Sequence, residues 1–354
     1  MTSDASADVA ALNLENGPTR IDLAFADNQL LVPLFGEYHQ NLAQIEHRLG
    51  VRINTRGNHV VIEGPSANAA AARRVLEELY ARLENGLEVE PGDVDGAIRM
   101  AERSQIETTS AATARHSGLA PAPGERARLA VRRRVITARS VMQATYMARL
   151  ADTPMVFALG PAGTGKTYLA VAQGVAALLE GRAERIILSR PAVEAGENLG
   201  FLPGDMREKV DPYLRPLYDA LYDLMPPDQV ERRFRSGEIE IAPLAFMRGR
   251  TLSNAFVILD EAQNTSRMQM KMFLTRFGHN ARMVIAGDPS QVDLPPRTRS
   301  GLHDAVAILG HIPGIAVIRF TAEDVVRHAL VGRIVDAYDE AAAREADKPA
   351  APPC

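Results

Sequence analysis

MVFALGPAGTGKTYLAVAQGVAALL, residues 155–179, runs an apolar strand pattern into a glycine-rich turn and then into an alanine-rich helix pattern. At its centre Gly160, Pro161, Ala162, Gly163, Thr164, Gly165, Lys166 and Thr167 satisfy the spacing G-x-x-x-x-G-K-S/T. Glycines let successive backbone N–H groups converge on phosphate oxygens, and the following helix start adds positive potential. Lys166 is expected to reach the β and γ oxygens, and Thr167 to ligate Mg²⁺. ATP and Mg²⁺ are the ligands this string implies.

Two further strand ends complete such a site. FVILDEAQ, residues 256–263, ends an apolar strand in Asp260 and Glu261. The first carboxylate is placed to hold Mg²⁺ through water, and the second to orient and deprotonate the attacking water. MVIAGDPSQ, residues 283–291, ends a strand in Gly287-Asp288 and carries Gln291 three residues on. It resembles the γ-phosphate sensor of superfamily 1 helicases, whose metal box also reads Asp-Glu-Ala-Gln. Gln143, in ARSVMQATY, is placed like the adenine-reading glutamine of those helicases, and a carboxamide can satisfy a donor and an acceptor of adenine together.

The runs MVFAL, RIILS, IEIAP, FVILD, MVIAG and IAVIRF are near-continuously apolar, with helical segments between several of them. Strands of that kind are buried on both faces, so a parallel sheet sandwiched by helices is expected, an α/β RecA-like P-loop NTPase core over residues 136–340. Upstream lies a different pattern. IDLAF alternates like a strand, 33–49 has helical spacing, and VRINT and HVVIEG form a hairpin around Arg56, Gly57 and Asn58. Ser66 is read as the cap of a helix running to Leu83, which makes a small α+β domain over 19–84. Residues 85–135 turn rich in Gly, Pro, Ser, Thr and Ala and are read as a linker with one short helix near 93–104. The linker end is basic, with Arg115, Arg126, Arg128, Arg132, Arg133, Arg134 and Arg139 against Glu125, which suits either a solvated arm or nucleic-acid contact. Residues 1–18 and 341–354 are read as disordered tails.

Composition limits the partners. A formal net charge of −4 offers no global positive field, so a polyanionic partner needs a local patch. The one cysteine, Cys354, gives no disulfide framework, and no stretch approaches the roughly 18 apolar residues of a membrane span. With no basic-apolar leader pattern at the start, a cytoplasmic protein with no membrane association is expected.

Beyond these motifs, RPAVEAGENLGFLPGD (190–205), EKVDPYLRPLYDAL (208–221), RGRTLSNAFVILDEAQNT (248–265) and DVVRHALVGRIVDAY (324–338) resemble the PhoH-like ATPase family. The resemblance covers about 136–338, and the N-terminal module is similar to the KH-like domain that many bacterial members carry. It implies ATP binding and hydrolysis, with a role in RNA metabolism near an endoribonuclease of ribosomal RNA maturation. One departure stands out: where a KH domain clamps single-stranded RNA with G-x-x-G, this chain reads Gly36-Glu37-Tyr38-His39, and the acid opposes phosphate. The module then either contacts RNA or packs on the ATPase domain or a partner.

A superfamily 1 helicase closes a second RecA-like domain over ATP, and the residues after Gln291 are too few for one. Either the protein is a nucleotide switch or neighbouring subunits of a homo-oligomer complete the site. In the second case Arg327, with Arg297 as alternative, is the candidate to enter the next subunit's site, while pairing of Arg327 with Asp324 is the local alternative. The competing function is a non-catalytic ATP-gated adaptor that recruits an endoribonuclease.

Overall fold

The computed structural model describes residues 18–110, 128–131, 135–191, 206–295 and 298–326. The N-terminal part opens with β1 (Pro18–Ala24) and a short helix α1 (Leu31–Phe35), followed by α2 (Gln40–Leu49), β2 (Arg52–Arg56), β3 (His59–Pro65), α3 (Ser66–Glu84) and α4 (Pro91–Ser110). Its three strands form an antiparallel sheet in the order β1-β3-β2. The hairpin turns tightly at Gly57 and Asn58, where Gly57 has φ +62°.

Three details differ from the sequence reading. The helical pattern over 33–49 is broken at Gly36–His39, where Gly36, Tyr38 and His39 all take positive φ. Ser66 is the first residue of α3, and the cap position falls to Pro65, which has no side-chain oxygen to offer. Part of the expected linker is core: α4 buries Val94, Ala97, Ile98 and Ala101 in the same cluster as Val75, Leu76 and Leu79 of α3. Polar residues and a Pro-Gly start hid that apolar face, whose positions recur at helical spacing.

The C-terminal part begins with a two-stranded ribbon, β4 (Arg128–Ala130) and β5 (Val135–Thr137), and α5 (Val141–Asp152). Then come β6 (Met155–Leu159), α6 (Lys166–Leu179), β7 (Arg185–Arg190), α7 (Met206–Leu224), α8 (Pro227–Ser236) and β8 (Ile239–Pro243). It continues through β9 (Ala255–Leu259), α9 (Arg267–Leu274), β10 (Arg282–Gly287), α10 (Gly301–Leu309) and β11 (Ile315–Arg319). All six expected strands, β6 to β11, join one sheet in the order β11-β6-β10-β9-β7-β8, and every pairing is parallel.

Why these runs lack alternation is visible in the packing. Val156, Ala158, Phe256 and Ile258 face the layer holding α5, α6 and α7. Their neighbours Phe157, Leu159, Val257 and Leu259 face the layer holding α9 and α10. With both faces covered, each strand must be apolar at every position. β10 lies between β6 and β9, so the strand before the glycine-rich loop and the strand ending in Asp260-Glu261 are separated by the one that ends at Gly287-Asp288. Parallel strands bring all three ends to the same edge, where ligands of open α/β sheets bind.

Candidate nucleotide site

The loop after β6 is built around conformations that side chains resist. Gly160 has φ +144°, and a Cβ there would stand 2.6 Å from the carbonyl oxygen of Phe320. Gly165, at φ +83°, is the cap of α6, and a Cβ there would meet the Gln143 amide at 3.2 Å. The loop therefore curls tightly onto the start of α6, whose first backbone N–H groups have no intrahelical acceptor.

Lys166 is buried and folds back over the loop, donating from Nζ to the carbonyls of Gly160 at 2.6 Å and Pro161 at 2.8 Å. Thr167 Oγ1 donates to Asp260 Oδ1 at 2.5 Å, which joins the start of α6 to the end of β9. Glu261 follows in a left-handed backbone conformation, φ 52° and ψ 37°. Such a conformation is costly for a side-chain-bearing residue and is typical of functional sites. A cavity of about 260 Å³ is lined by Lys166, Thr167, Asp260, Glu261, Asp288 and Gln291, together with the loop glycines. The structure thus brings together the residues expected from the three strand ends.

Two residues that the sequence reading gave no role bind this constellation. Arg190, at the end of β7, donates from Nε to Asp260 Oδ2 at 2.8 Å and from its terminal nitrogen to Glu261 Oε1 at 2.9 Å. Gln263 donates to Glu261 Oε2 at 2.7 Å and accepts from the Asp288 backbone N–H at 3.0 Å, tying Glu261 to the loop after β10. The signal for Gln263 was present in the Asp-Glu-Ala-Gln string, and that for Arg190 in a strand ending on a charge.

Gln143 braces the phosphate loop. It is buried beside the loop, yet Oε1 accepts from the Arg139 N–H at 2.7 Å and Nε2 donates to the Thr164 carbonyl at 3.0 Å. Backbone groups engage both heteroatoms of the amide, so the side chain helps to hold the loop in shape. Tyr146 backs it up, donating to the Lys166 carbonyl at 3.1 Å. Burial first, and the nearby Asp260 second, push its phenol well above the ordinary tyrosine range, so it stays a donor.

The residues present fit a nucleotide with a divalent cation. The curled glycine loop leaves no room for side chains, Thr167 and Asp260 offer hard oxygen donors, and Asp288 Oδ2 is buried with no hydrogen-bond partner among the described residues. Arg327 and Arg297 lie outside the described residues. Asp324 is turned inward, its Oδ2 accepting from the Thr321 N–H at 2.9 Å. No described helix is long and apolar enough to cross a membrane.

Comparison with known proteins agrees with this geometry. A family profile described as "PhoH-like protein" matches residues 135–339. The "PhoH-like protein" of Bacillus subtilis (strain 168) is 48% identical over 307 residues, covering 87% of this chain and 93% of that protein. The one from Mycobacterium tuberculosis (strain ATCC 25618 / H37Rv) is 47% identical over 312 residues, covering 87% and 85%. "Protein PhoH" of Escherichia coli (strain K12) is 45% identical over 205 residues, 57% of this chain and 58% of that one. A solved structure, the Sulfolobus solfataricus SWI2/SNF2 ATPase core in complex with dsDNA, overlaps 50% of this chain and 43% of its own at 14% identity and a TM-score of 0.31, too little to carry an argument. With a parallel sheet that gathers the glycine loop, the Asp260-Glu261 pair and Gln291 at one edge, and relatives alike over most of its length, the chain belongs to the PhoH-like protein family.

Proposed function

We propose that this chain binds ATP with Mg²⁺ at the β6, β9 and β10 strand ends and hydrolyses it. The observation that carries the reading is the 2.5 Å contact between Thr167 and Asp260, with Glu261 and Gln291 lining the same cavity. Thr167 and Asp260 would hold Mg²⁺, which when bound neutralises charge on the phosphate oxygens. Lys166 leaves its loop carbonyls to meet the β and γ oxygens. Glu261 takes the proton of the attacking water, and Gln291 senses the terminal phosphate. A glutamate next to the metal acid suits activation of water better than transfer to a bound acceptor.

Single-stranded RNA is the partner class that goes with this reading. Tyr38 is wholly exposed in the positive-φ loop Gly36–His39, where its ring offers a stacking surface of the kind unpaired bases use. The test is steady-state ATP turnover with and without single-stranded RNA. Turnover that rises with RNA supports an RNA-linked ATPase, turnover indifferent to RNA favours an ATP-gated adaptor for an endoribonuclease, and ATP binding without turnover removes the hydrolase reading.

A further inference from the structure

Between the N-terminal part and the sheet domain lies a second cavity, of about 610 Å³. It shares Gly163, Gly165 and Tyr168 with the phosphate cavity, so the two spaces meet on the loop itself. An elongated ligand whose phosphates rest on Lys166 and Thr167 can extend into it past those residues. One wall comes from the sheet domain, through Ile136, Leu169 and Tyr168. The other comes from the turn between α3 and α4 and the start of α4, through Leu87, Glu88, Glu90 and Asp93. Ile136, Leu169 and Leu87 offer apolar surface to a planar heterocycle, and the acidic residues Glu88, Glu90 and Asp93 make the rest of the second wall polar. The amide of Gln143 borders the cavity and is held by backbone groups at both ends.

The second wall is fastened to the loop by two chains of ion pairs and hydrogen bonds. In the first, buried Asp93 pairs with Arg82 at 3.2 Å and Arg139 at 3.6 Å, and Arg139 also meets Glu90 at 3.1 Å. Arg82 donates across the gap to Thr137 Oγ1 at 2.9 Å. From Arg139 the backbone N–H leads to Gln143, and Gln143 leads to the Thr164 carbonyl. In the second, Arg99 of α4 donates to the Val325 carbonyl at 2.9 Å, and the next residue, Val326, donates its N–H to the Gly163 carbonyl at 2.9 Å.

We infer that the N-terminal part supplies the second wall of the nucleobase slot, so that ATP is held between the α3–α4 turn and the phosphate loop, and nucleotide binding is linked to docking of that part. The inference rests on the ATP-binding reading above. Linkage is reciprocal: a partner that draws the N-terminal part away from the loop weakens ATP by the same factor that ATP weakens the partner.

Photolabelling of the full chain with 8-azido-ATP, followed by peptide mapping, tests it directly. ATP-protected label within residues 86–93 is the expected result. ATP-protected label confined to residues after 135 overturns the shared slot while leaving ATP binding intact, and label that ATP does not protect anywhere overturns both. A second measurement separates base from phosphate. Asp93→Asn, which removes the charge anchoring Arg82 and Arg139, should weaken ATP by about tenfold. It should leave the affinity for inorganic tripolyphosphate, which has no base, within about twofold. Equal losses for the two ligands would place the effect on the loop and overturn the inference.

Discussion

Arg190 lays its guanidinium across Asp260 and Glu261, at 2.8 and 2.9 Å, so the carboxylates assigned to metal and water are bridged by a cation of the chain itself. The two halves of the bridge are unequal. Asp260 is buried, and removing one partner of a buried pair typically costs of order 3–5 kcal/mol. The Glu261 side chain is 43% exposed, which puts that half near the surface-pair value of about 1 kcal/mol or less. Arg190→Gln should therefore lower the melting temperature of the nucleotide-free protein by several degrees. Mg²⁺, competing in the parent with the guanidinium for Asp260, should restore more stability to the variant than it adds to the parent. Melting curves with and without Mg²⁺ decide the point; an equal Mg²⁺ shift in both proteins would show that Arg190 does not compete for the metal acid.

Lys166 and Glu261 should fail in different ways. On the proposed reading Lys166 meets phosphate in the ground state, so Lys166→Ala should abolish measurable ATP binding. Glu261, as the proposed base, would act on water in the transition state, where a general base contributes about 10²- to 10⁴-fold. Glu261→Gln should bind ATP as the parent does and turn it over at least about 100-fold more slowly. Unchanged turnover in the Gln variant would remove Glu261 from the base role.

What was legible in the sequence was local. The six strands announced themselves because a strand covered on both faces is apolar throughout, and the loop because its glycines, Lys166 and Thr167 are adjacent in the chain. Relationships between distant segments left no such mark. Helix α4 reads as linker until α3 is packed against it, and the polar partners of Gln143 appear only when Arg139 and Thr164 are brought to either end of its amide. Arg190 lies 70 residues from Asp260 in the chain, and only the parallel pairing of β7 with β9 brings their ends together.

Gln143 yields a prediction opposite in sense to base reading. Because its amide fixes the Thr164 carbonyl and the Arg139 N–H, Gln143→Ala should weaken ATP and GTP by a similar factor, leaving the preference between them unchanged. Losing two hydrogen bonds worth about 0.5–1.5 kcal/mol each sets the expected loss at roughly 5- to 150-fold. Competition of the two nucleotides for the variant is the measurement, and a selective loss of ATP would return the glutamine to the base.

Asp288 carries the last prediction. Its Oδ1 accepts from the Ser290 N–H at 3.0 Å and from the Ser290 hydroxyl at 2.7 Å, whereas Oδ2 is buried with no hydrogen-bond partner among the described residues. A buried oxygen left unmatched costs about 1–3 kcal/mol, an expense proteins tolerate where function needs the group. Asp288 lines the same cavity as Lys166, Glu261 and Gln291, which places its carboxylate at the wall of the proposed nucleotide site. Asp288→Asn keeps an oxygen for Ser290 and replaces the unmatched one with a donor of similar size. The nucleotide-free variant should melt at or above the parent temperature, while ATP turnover falls at least about tenfold. A variant that melts lower and turns over normally would mark Asp288 as a structural cap of its own loop, since the lost stability would then report on Ser290 and not on the ligand.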